Sequence, residues 1–295
     1  MRDPMFSGVC TALVTPFIEN QINFPMLEVL INRQINAGIQ TLVLAGTTGE
    51  SPTLTDEEKL SLFRKGKIIA GNRCSIIAGT GSNDTSHAVA LSQAAQNAGV
   101  DALLVVSPYY NKATAEGLVA HYVKIAHAVK IPIILYNVPS RTGLDMPVNV
   151  YQRLSRIPNI IGVKEASTDI TKIIRIRESC GPEFSVWTGC DDLTVPALSM
   201  GAQGVISVTS NVQPDMVLDM TQAGLNGDFD TAADLQMRLQ PLNDLLFCQI
   251  NPIPVKAAME ILGYDCGTCR LPLTPLSEEY RIQLQQVLKK VKRTA

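Results

Sequence analysis

Residues 131–136, Ile131-Pro132-Ile133-Ile134-Leu135-Tyr136, and residues 160–164, Ile160-Ile161-Gly162-Val163-Lys164, are short apolar, β-branched runs with a longer segment between them. They read as two buried strands joined by a crossover, the unit of a parallel sheet. The same rhythm continues in both directions. Strands are expected at 8–14, 41–45, 75–78 and 102–106 before them, and at 185–188 and 204–207 after them. The segments between carry helix-start signals: Thr55 ahead of Glu57 and Glu58, Asn83 ahead of an alanine-rich stretch, Asp169 ahead of Ile173 and Ile174, and Asp192 ahead of Val195. Eight strands, each followed by a crossover helix, favour closure into a (β/α)8 TIM barrel over an open doubly wound sheet.

After Asn226-Gly227-Asp228 the strand signal stops, and 229–247, 254–262 and 276–291 read as helix. The chain therefore divides into a barrel at 1–227 and a C-terminal helical domain at 228–295. The basic end, Lys289-Lys290-Val291-Lys292-Arg293, is read as cations complementing the negative end of a helix dipole rather than as a nucleic-acid or lipid patch.

Composition removes several classes of function. With 46% hydrophobic and 18% charged residues in 295, the chain can bury a large core, which excludes disorder. Lys and Arg total 25 against 27 acidic residues, so no general field attracts nucleic acid or an anionic membrane surface. The apolar runs stop well short of the ~18 residues needed to span a bilayer. The start, Met1-Arg2-Asp3-Pro4-Met5-Phe6, has no export-signal pattern, and seven irregularly spaced cysteines suit a reducing cytoplasm. Cys266-Gly267-Thr268-Cys269 is a lone CxxC without a second pair or a histidine partner, so it reads as two loop thiols, not a metal or redox site.

A barrel gathers its reacting groups at the C-terminal ends of its strands. Those ends read Gly46-Thr47-Thr48-Gly49-Glu50, Ser107-Pro108-Tyr109-Tyr110-Asn111, Tyr136-Asn137-Val138-Pro139-Ser140-Arg141 and Lys164-Glu165. Lys164 closes an apolar run whose walls disfavour an ammonium and favour the neutral amine, a nucleophile for ketones. The bland alternative is a lysine that snorkels to water or pairs with Glu165. Imine chemistry needs a proton shuttle. Tyr136, on the adjacent strand end, has the hydroxyl for it, and Thr48 and Tyr110 offer hydroxyls to pass the proton on. A lone strand-end tyrosine is otherwise a rim packing residue. Gly46, Gly49 and the two threonines between them offer donors to a small carboxylate, and Arg141 offers a planar fork to a second one, or else is simply solvated.

Other motifs are weak. Gly79-Thr80-Gly81 begins like a dinucleotide fingerprint, but Asp84 stands where its third glycine belongs. No P-loop, G-x-S-x-G or HExxH occurs, and His87, His121 and His127 are scattered, so neither a metal nor an organic cofactor is expected.

Seven motifs taken together carry a family likeness along almost the whole chain: Gly46-Thr47-Thr48-Gly49-Glu50-Ser51, Gly79-Thr80-Gly81-Ser82-Asn83, Pro108-Tyr109-Tyr110-Asn111, Tyr136-Asn137-Val138-Pro139-Ser140-Arg141-Thr142-Gly143, Gly162-Val163-Lys164-Glu165-Ala166, Gly204-Val205-Ile206-Ser207 and Asn251-Pro252-Ile253-Pro254-Val255-Lys256. The chain resembles the dihydrodipicolinate synthase family of the pyruvate-dependent class I aldolases, the superfamily that also holds N-acetylneuraminate lyase. The resemblance implies that Lys164 condenses with pyruvate, that Tyr136 is the acid/base, and that Thr48 and Tyr110 complete a relay, Tyr110 coming from a neighbouring subunit. It further implies that Thr47 and Thr48 hold the pyruvate carboxylate, with backbone near Gly189 and Ile206 lining the site. Arg141 would receive the carboxylate of L-aspartate 4-semialdehyde. The Pro-Ser-Arg-Thr-Gly run separates the synthases from sugar-acid aldolases, the nearest rival reading. A silent ligand-binding barrel is the second rival, and intact Lys164 and Tyr136 argue against it. The family implies a homo-oligomer, commonly a tetramer built as a dimer of dimers.

Two departures from the family pattern stand out. Where glycine often precedes two acidic residues directly, this chain reads Gly189-Cys190-Asp191-Asp192. In lysine-sensitive relatives an allosteric pocket uses positions matching Ser51, Asn83 and Tyr109, together with histidines and a glutamate. Here Asp56 and Lys59 stand for the histidines and His87 for the glutamate, so weak or absent lysine inhibition is expected.

Overall fold

The computed structural model describes residues 5–292. Its eight barrel strands are β1 Gly8–Ala12, β2 Thr41–Leu44, β3 Ser75–Gly79, β4 Ala102–Val106, β5 Ile133–Asn137, β6 Ile160–Glu165, β7 Ser185–Thr188 and β8 Gly204–Ser207. All pair in parallel, and β1 pairs with both β2 and β8, so the sheet closes on itself and has no free edge. Each strand expected from the sequence is present. The first ends two residues earlier than 8–14: Leu13 N still reaches Val43 O, but Val14 N leaves the ladder for the Asn211 side chain. β5 begins at Ile133 rather than 131, past Pro132, which has no N–H to give a ladder.

Crossover helices follow every strand: α1 Phe24–Asn36, α2 Asp56–Ala70, α3 Thr85–Asn97, α4 Ala115–Ala128, the short α5 Pro139–Thr142 and α6 Val148–Leu154, then α7 Thr171–Cys180, α8 Thr194–Ser199 and α9 Pro214–Leu225. The Thr55 signal is a full capping box, with Glu58 N bonded to the Thr55 hydroxyl and Thr55 N to the Glu58 carboxylate, a device that stabilises a helix end by about 1 kcal/mol. A small antiparallel hairpin, Phe17–Ile18 with Gln21–Ile22, turns through Glu19 and Asn20, both at positive φ. It lies between β1 and α1, and its two-residue strands are too short to show a period in the sequence.

Strand alternation sorts side chains into two layers. Leu42, Leu44, Ile76, Leu103, Val105, Ile133 and Leu135 join the layer beneath the helices. Val43, Ile77, Leu104, Ile134, Tyr136 and Ile206 fill the barrel interior with Trp187. Trp187 is fully buried, donates its indole N–H to Phe6 O at 3.2 Å and stacks on the Phe6 ring at 4.7 Å. Gly162 makes room for it: a Cβ there would lie 2.8 Å from Trp187 Cζ3 and 2.3 Å from Ser185 O.

The C-terminal helices are α10 Phe229–Leu246, α11 Ile253–Ile261 and α12 Glu278–Lys292. α10 packs on α8 and α9, and α12 on α10 and α11. The basic stretch ending in Arg293 lies partly outside the described residues. Cys266 and Cys269 are free thiols, and burial pushes both up to about 12. Among the described residues no group of three or more His, Cys, Asp or Glu is gathered in a way that could hold a metal ion, and no helix is long and apolar enough to cross a membrane.

Candidate active site

Lys164 and Tyr136 have the same parity on neighbouring strands, one place before the last residue of each, and they are register partners. Both point into the barrel, with 5% and 6% of their surface exposed. Lys164 Nζ lies 4.6 Å from the Tyr136 ring centroid. Glu165, one residue on, has the opposite parity and turns away. Its buried carboxylate accepts from Asn137 Nδ2 at 2.8 Å, Tyr151 Oη at 3.0 Å and Ser167 N at 2.9 Å, with Lys172 Nζ at 3.7 Å. The pairing of Lys164 with Glu165 weighed from the sequence is therefore not what holds the lysine. This buried network fixes the end of β6 instead, and its members are spread over β5, β6, α6 and α7.

The room around Lys164 depends on Gly189. A Cβ at Gly189 would sit 2.7 Å from Lys164 Cε and 2.7 Å from Ala166 Cβ, so only glycine leaves that side chain its path. Gly189 N donates to Glu165 O at 2.7 Å, which keeps the turn close with Cys190 as the next residue. Burial pushes the Cys190 thiol up to about 12. The next residue, Asp191, is buried and accepts from Ser207 Oγ, from Val208 N at 2.8 Å and from Thr209 N at 3.3 Å. Burial raises its carboxyl while those hydrogen bonds hold it down. Asp191 thus ties the turn after β7 to the turn after β8, a strand-end carboxylate that sequence reasoning passed over.

A cavity of about 490 Å³ opens above these groups, walled by Thr47, Thr48, Tyr136, Arg141, Lys164 and Gly189 among others. Of the residues singled out beforehand, these six come together. Val208 forms the wall beyond β8, with Ile206 fully buried two residues deeper along the strand. Tyr110 does not join them within the chain: it is 91% exposed, at φ 72°, and lines neither this cavity nor the one beside it. Asn243, Phe247 and Asn251, from α10 and the link after it, close the cavity on the far side. Asn243 and Phe247 carry no local signal in the sequence, and the Asn251-Pro252 motif does not by itself say that it reaches this cavity.

A neighbouring cavity of about 270 Å³ shares Thr47, Tyr136, Val138 and Arg141 with the first and is walled further by Ser51, Lys59, Ser82, His87 and Tyr109. Asn83 is half-buried beside it, its carbonyl accepting from Asn111 Nδ2 at 2.9 Å. His87 Nε2 is 2.8 Å from Asp56 Oδ2 and its Nδ1 is 3.1 Å from Ser82 Oγ. Lys59 is buried, 3.8 Å from Asp56, and burial pulls its pKa below the ordinary lysine value against the opposing pull of that carboxylate.

This arrangement joins a buried amine, a phenol beside it, a paired threonine loop and an arginine fork at one barrel mouth. Comparison with known proteins places the whole chain in one family. The sequence model of the Dihydrodipicolinate synthetase family matches residues 5–291. A 4-hydroxy-tetrahydrodipicolinate synthase of Thermoanaerobacter sp. is 48% identical over 288 residues, 97% of each chain. The crystal structure of dihydrodipicolinate synthase from Aquifex aeolicus superposes with a TM-score of 0.96 at 42% identity, covering 97% of this chain and 98% of that one. The chloride-inhibited enzyme of Acinetobacter baumannii, complexed with pyruvate, superposes with a TM-score of 0.95 at 40% identity, covering 98% and 99%.

Proposed function

Since the chain belongs to the Dihydrodipicolinate synthetase family, we infer that it is a 4-hydroxy-tetrahydrodipicolinate synthase, a lyase of the class I aldolase type that condenses pyruvate with L-aspartate 4-semialdehyde for lysine and diaminopimelate biosynthesis. The observation that carries the site assignment is the inward register pair Tyr136 and Lys164 beneath a cavity that also holds Arg141.

Lys164 Nζ, as the neutral amine, attacks the keto carbon of pyruvate. The carbinolamine loses water to give the imine, and loss of a methyl proton gives the enamine. Its carbon adds to the aldehyde, and the amino group of the incoming chain then displaces Lys164 as the product cyclises. Each of these steps moves a proton, and the Tyr136 hydroxyl is the group beside the lysine able to take and return it. Thr48 passes it onward, and Tyr110, exposed in the single chain, reaches the site of a second subunit. That role requires at least a dimer, and a tetramer built as a dimer of dimers is the form we propose. Thr47 and Thr48 hold the pyruvate carboxylate with backbone near Gly189 and Ile206, and Arg141 takes the carboxylate of the semialdehyde. The barrel, residues 1–227, carries the reacting groups. The helical domain, residues 228–295, closes the cavity over them. No metal or organic cofactor enters this scheme, and a cytoplasmic setting suits it.

Arg141→Ala tests the second substrate. Its kcat/KM with the semialdehyde should fall ~10²-fold or more, the loss of a charge-assisted bidentate contact, with the pyruvate KM little changed. Equal losses with a neutral sugar aldehyde would favour the sugar-acid aldolase reading.

A further inference from the structure

Asn251 lies in the link between α10 and α11, 203 positions from Thr48, and its Nδ2 donates to Thr48 Oγ1 at 3.0 Å. Both side chains are buried, at 6% and 2% exposure. The main-chain carbonyl of Asn251 accepts from Arg141 Nη2 at 3.0 Å. Its side-chain Oδ1 is buried with no hydrogen-bond partner among the described residues. An amide oxygen buried without a partner gives up solvation without return, so the side chain's hydrogen bonding rests on its nitrogen.

The link is anchored independently of that side chain. Lys256 on α11 donates to Glu50 Oε1 at 2.9 Å and to Thr268 O at 3.0 Å, and it lies 4.3 Å above the Phe17 ring. Glu50 closes the Gly-Thr-Thr-Gly loop at φ 57° and accepts from Arg270 N at 2.8 Å through its second oxygen. The charged groups around the link are Glu50 after β2, Arg141 on α5, Lys256 on α11, and Asp192, Asp244 and Lys164 on the cavity wall.

A hydroxyl has one proton and two acceptor lone pairs. A donor from Asn251 occupies a lone pair and repels the proton, which is left to point elsewhere. We propose that Asn251 is a positioning residue for the condensation: its amide N–H fixes the Thr48 hydroxyl as a donor toward the cavity, while its carbonyl steadies Arg141. The polarity of the proton path is then set by the helical part of the chain, not by the barrel. This rests on the reading of Thr48 as a relay group.

Asn251→Asp tests it, because a carboxylate of the same shape can only accept, and turns the Thr48 proton around. Its kcat should fall ~10²-fold at pH 8, within the range for loss of a general acid–base path. Borohydride trapping of pyruvate on Lys164 should persist at saturating pyruvate, since the lysine is untouched, while the pyruvate KM should rise in the Asp variant as the Thr48 hydroxyl turns from the pyruvate carboxylate. Measured as a ratio to wild type across pH, the loss should shrink as the pH falls and the carboxyl regains a proton to donate. Asn251→Ala, which buries no charge, should lose less, by the same factor at every pH. An Asp variant as active as wild type would mean that Thr48 donates to the amide, and would overturn the proposal. So would a loss with no pH dependence in the Asp variant, or wild-type kcat in the Ala variant. Failure of trapping in the wild-type enzyme would instead remove the underlying site reading.

Discussion

Tyr136 and Lys164 face each other as register partners on β5 and β6, with the lysine nitrogen 4.6 Å from the centre of the tyrosine ring. The pairing follows from strand parity: both residues stand one place before the end of their strands, and both belong to the inward set. The ring therefore gives the lysine an aromatic neighbour, and the proposed mechanism assigns the proton transfer to its hydroxyl.

These two contributions separate in Tyr136→Phe. The ring remains and the cavity keeps its shape, so pyruvate should still be trapped on Lys164. Turnover should fall ~10²- to 10⁴-fold, the span expected when a general acid–base is removed. Steady-state assays alongside trapping check this, and undiminished turnover would contradict the role given to the hydroxyl.

Lysine should inhibit weakly or not at all. In the cavity beside the active site, His87 is bonded to Asp56 and Ser82, and the buried Lys59 ammonium faces the same space. No carboxylate stands at position 87 to meet a cationic amine, and a charge-assisted bond of that kind contributes about 1.5–3 kcal/mol, or ~10- to 100-fold in affinity. A dose response should show no half-inhibition in the micromolar range; finding one there would refute the expectation.

Acid should weaken the fold through His121. Burial drives its pKa from 6.5 down to about 4 against the opposing pull of Asp84, and its Nε2 is buried without a hydrogen-bond partner among the described residues while Nδ1 meets Thr85 Oγ1 at 2.9 Å. Between those two values the unfolded chain binds the proton and the folded chain does not. The stability is present above pH 6.5 and is lost as the pH falls toward 4, by up to about 3 kcal/mol. Urea denaturation of wild type and His121→Gln at pH 7 and pH 5 reads the difference. The variant should lose less on acidification, and parallel losses would show that His121 is not responsible.

The barrel was legible because its cause is local. Each strand announces itself by a short β-branched run, and Ala102–Val106, Ser185–Thr188 and Gly204–Ser207 coincide with their sequence-based limits. The inward lysine was legible for the same reason, since period two assigns its face once the strand is known. What stayed hidden is held by contacts between distant positions. Asn251 with Thr48, Lys256 with Glu50, and Asp191 with Ser207 stand in recognisable motifs, but nothing in either neighbourhood says which residue meets which. The roominess behind Lys164 was hidden too, because Gly189 matters through the Cβ it lacks rather than through a group it presents.

The most direct test of the central claim is reductive trapping. Borohydride added to the enzyme with pyruvate should inactivate it and leave one reduced adduct, found by peptide mapping on Lys164. Retained activity with no adduct, or an adduct on another lysine such as Lys59 or Lys172, would contradict the account.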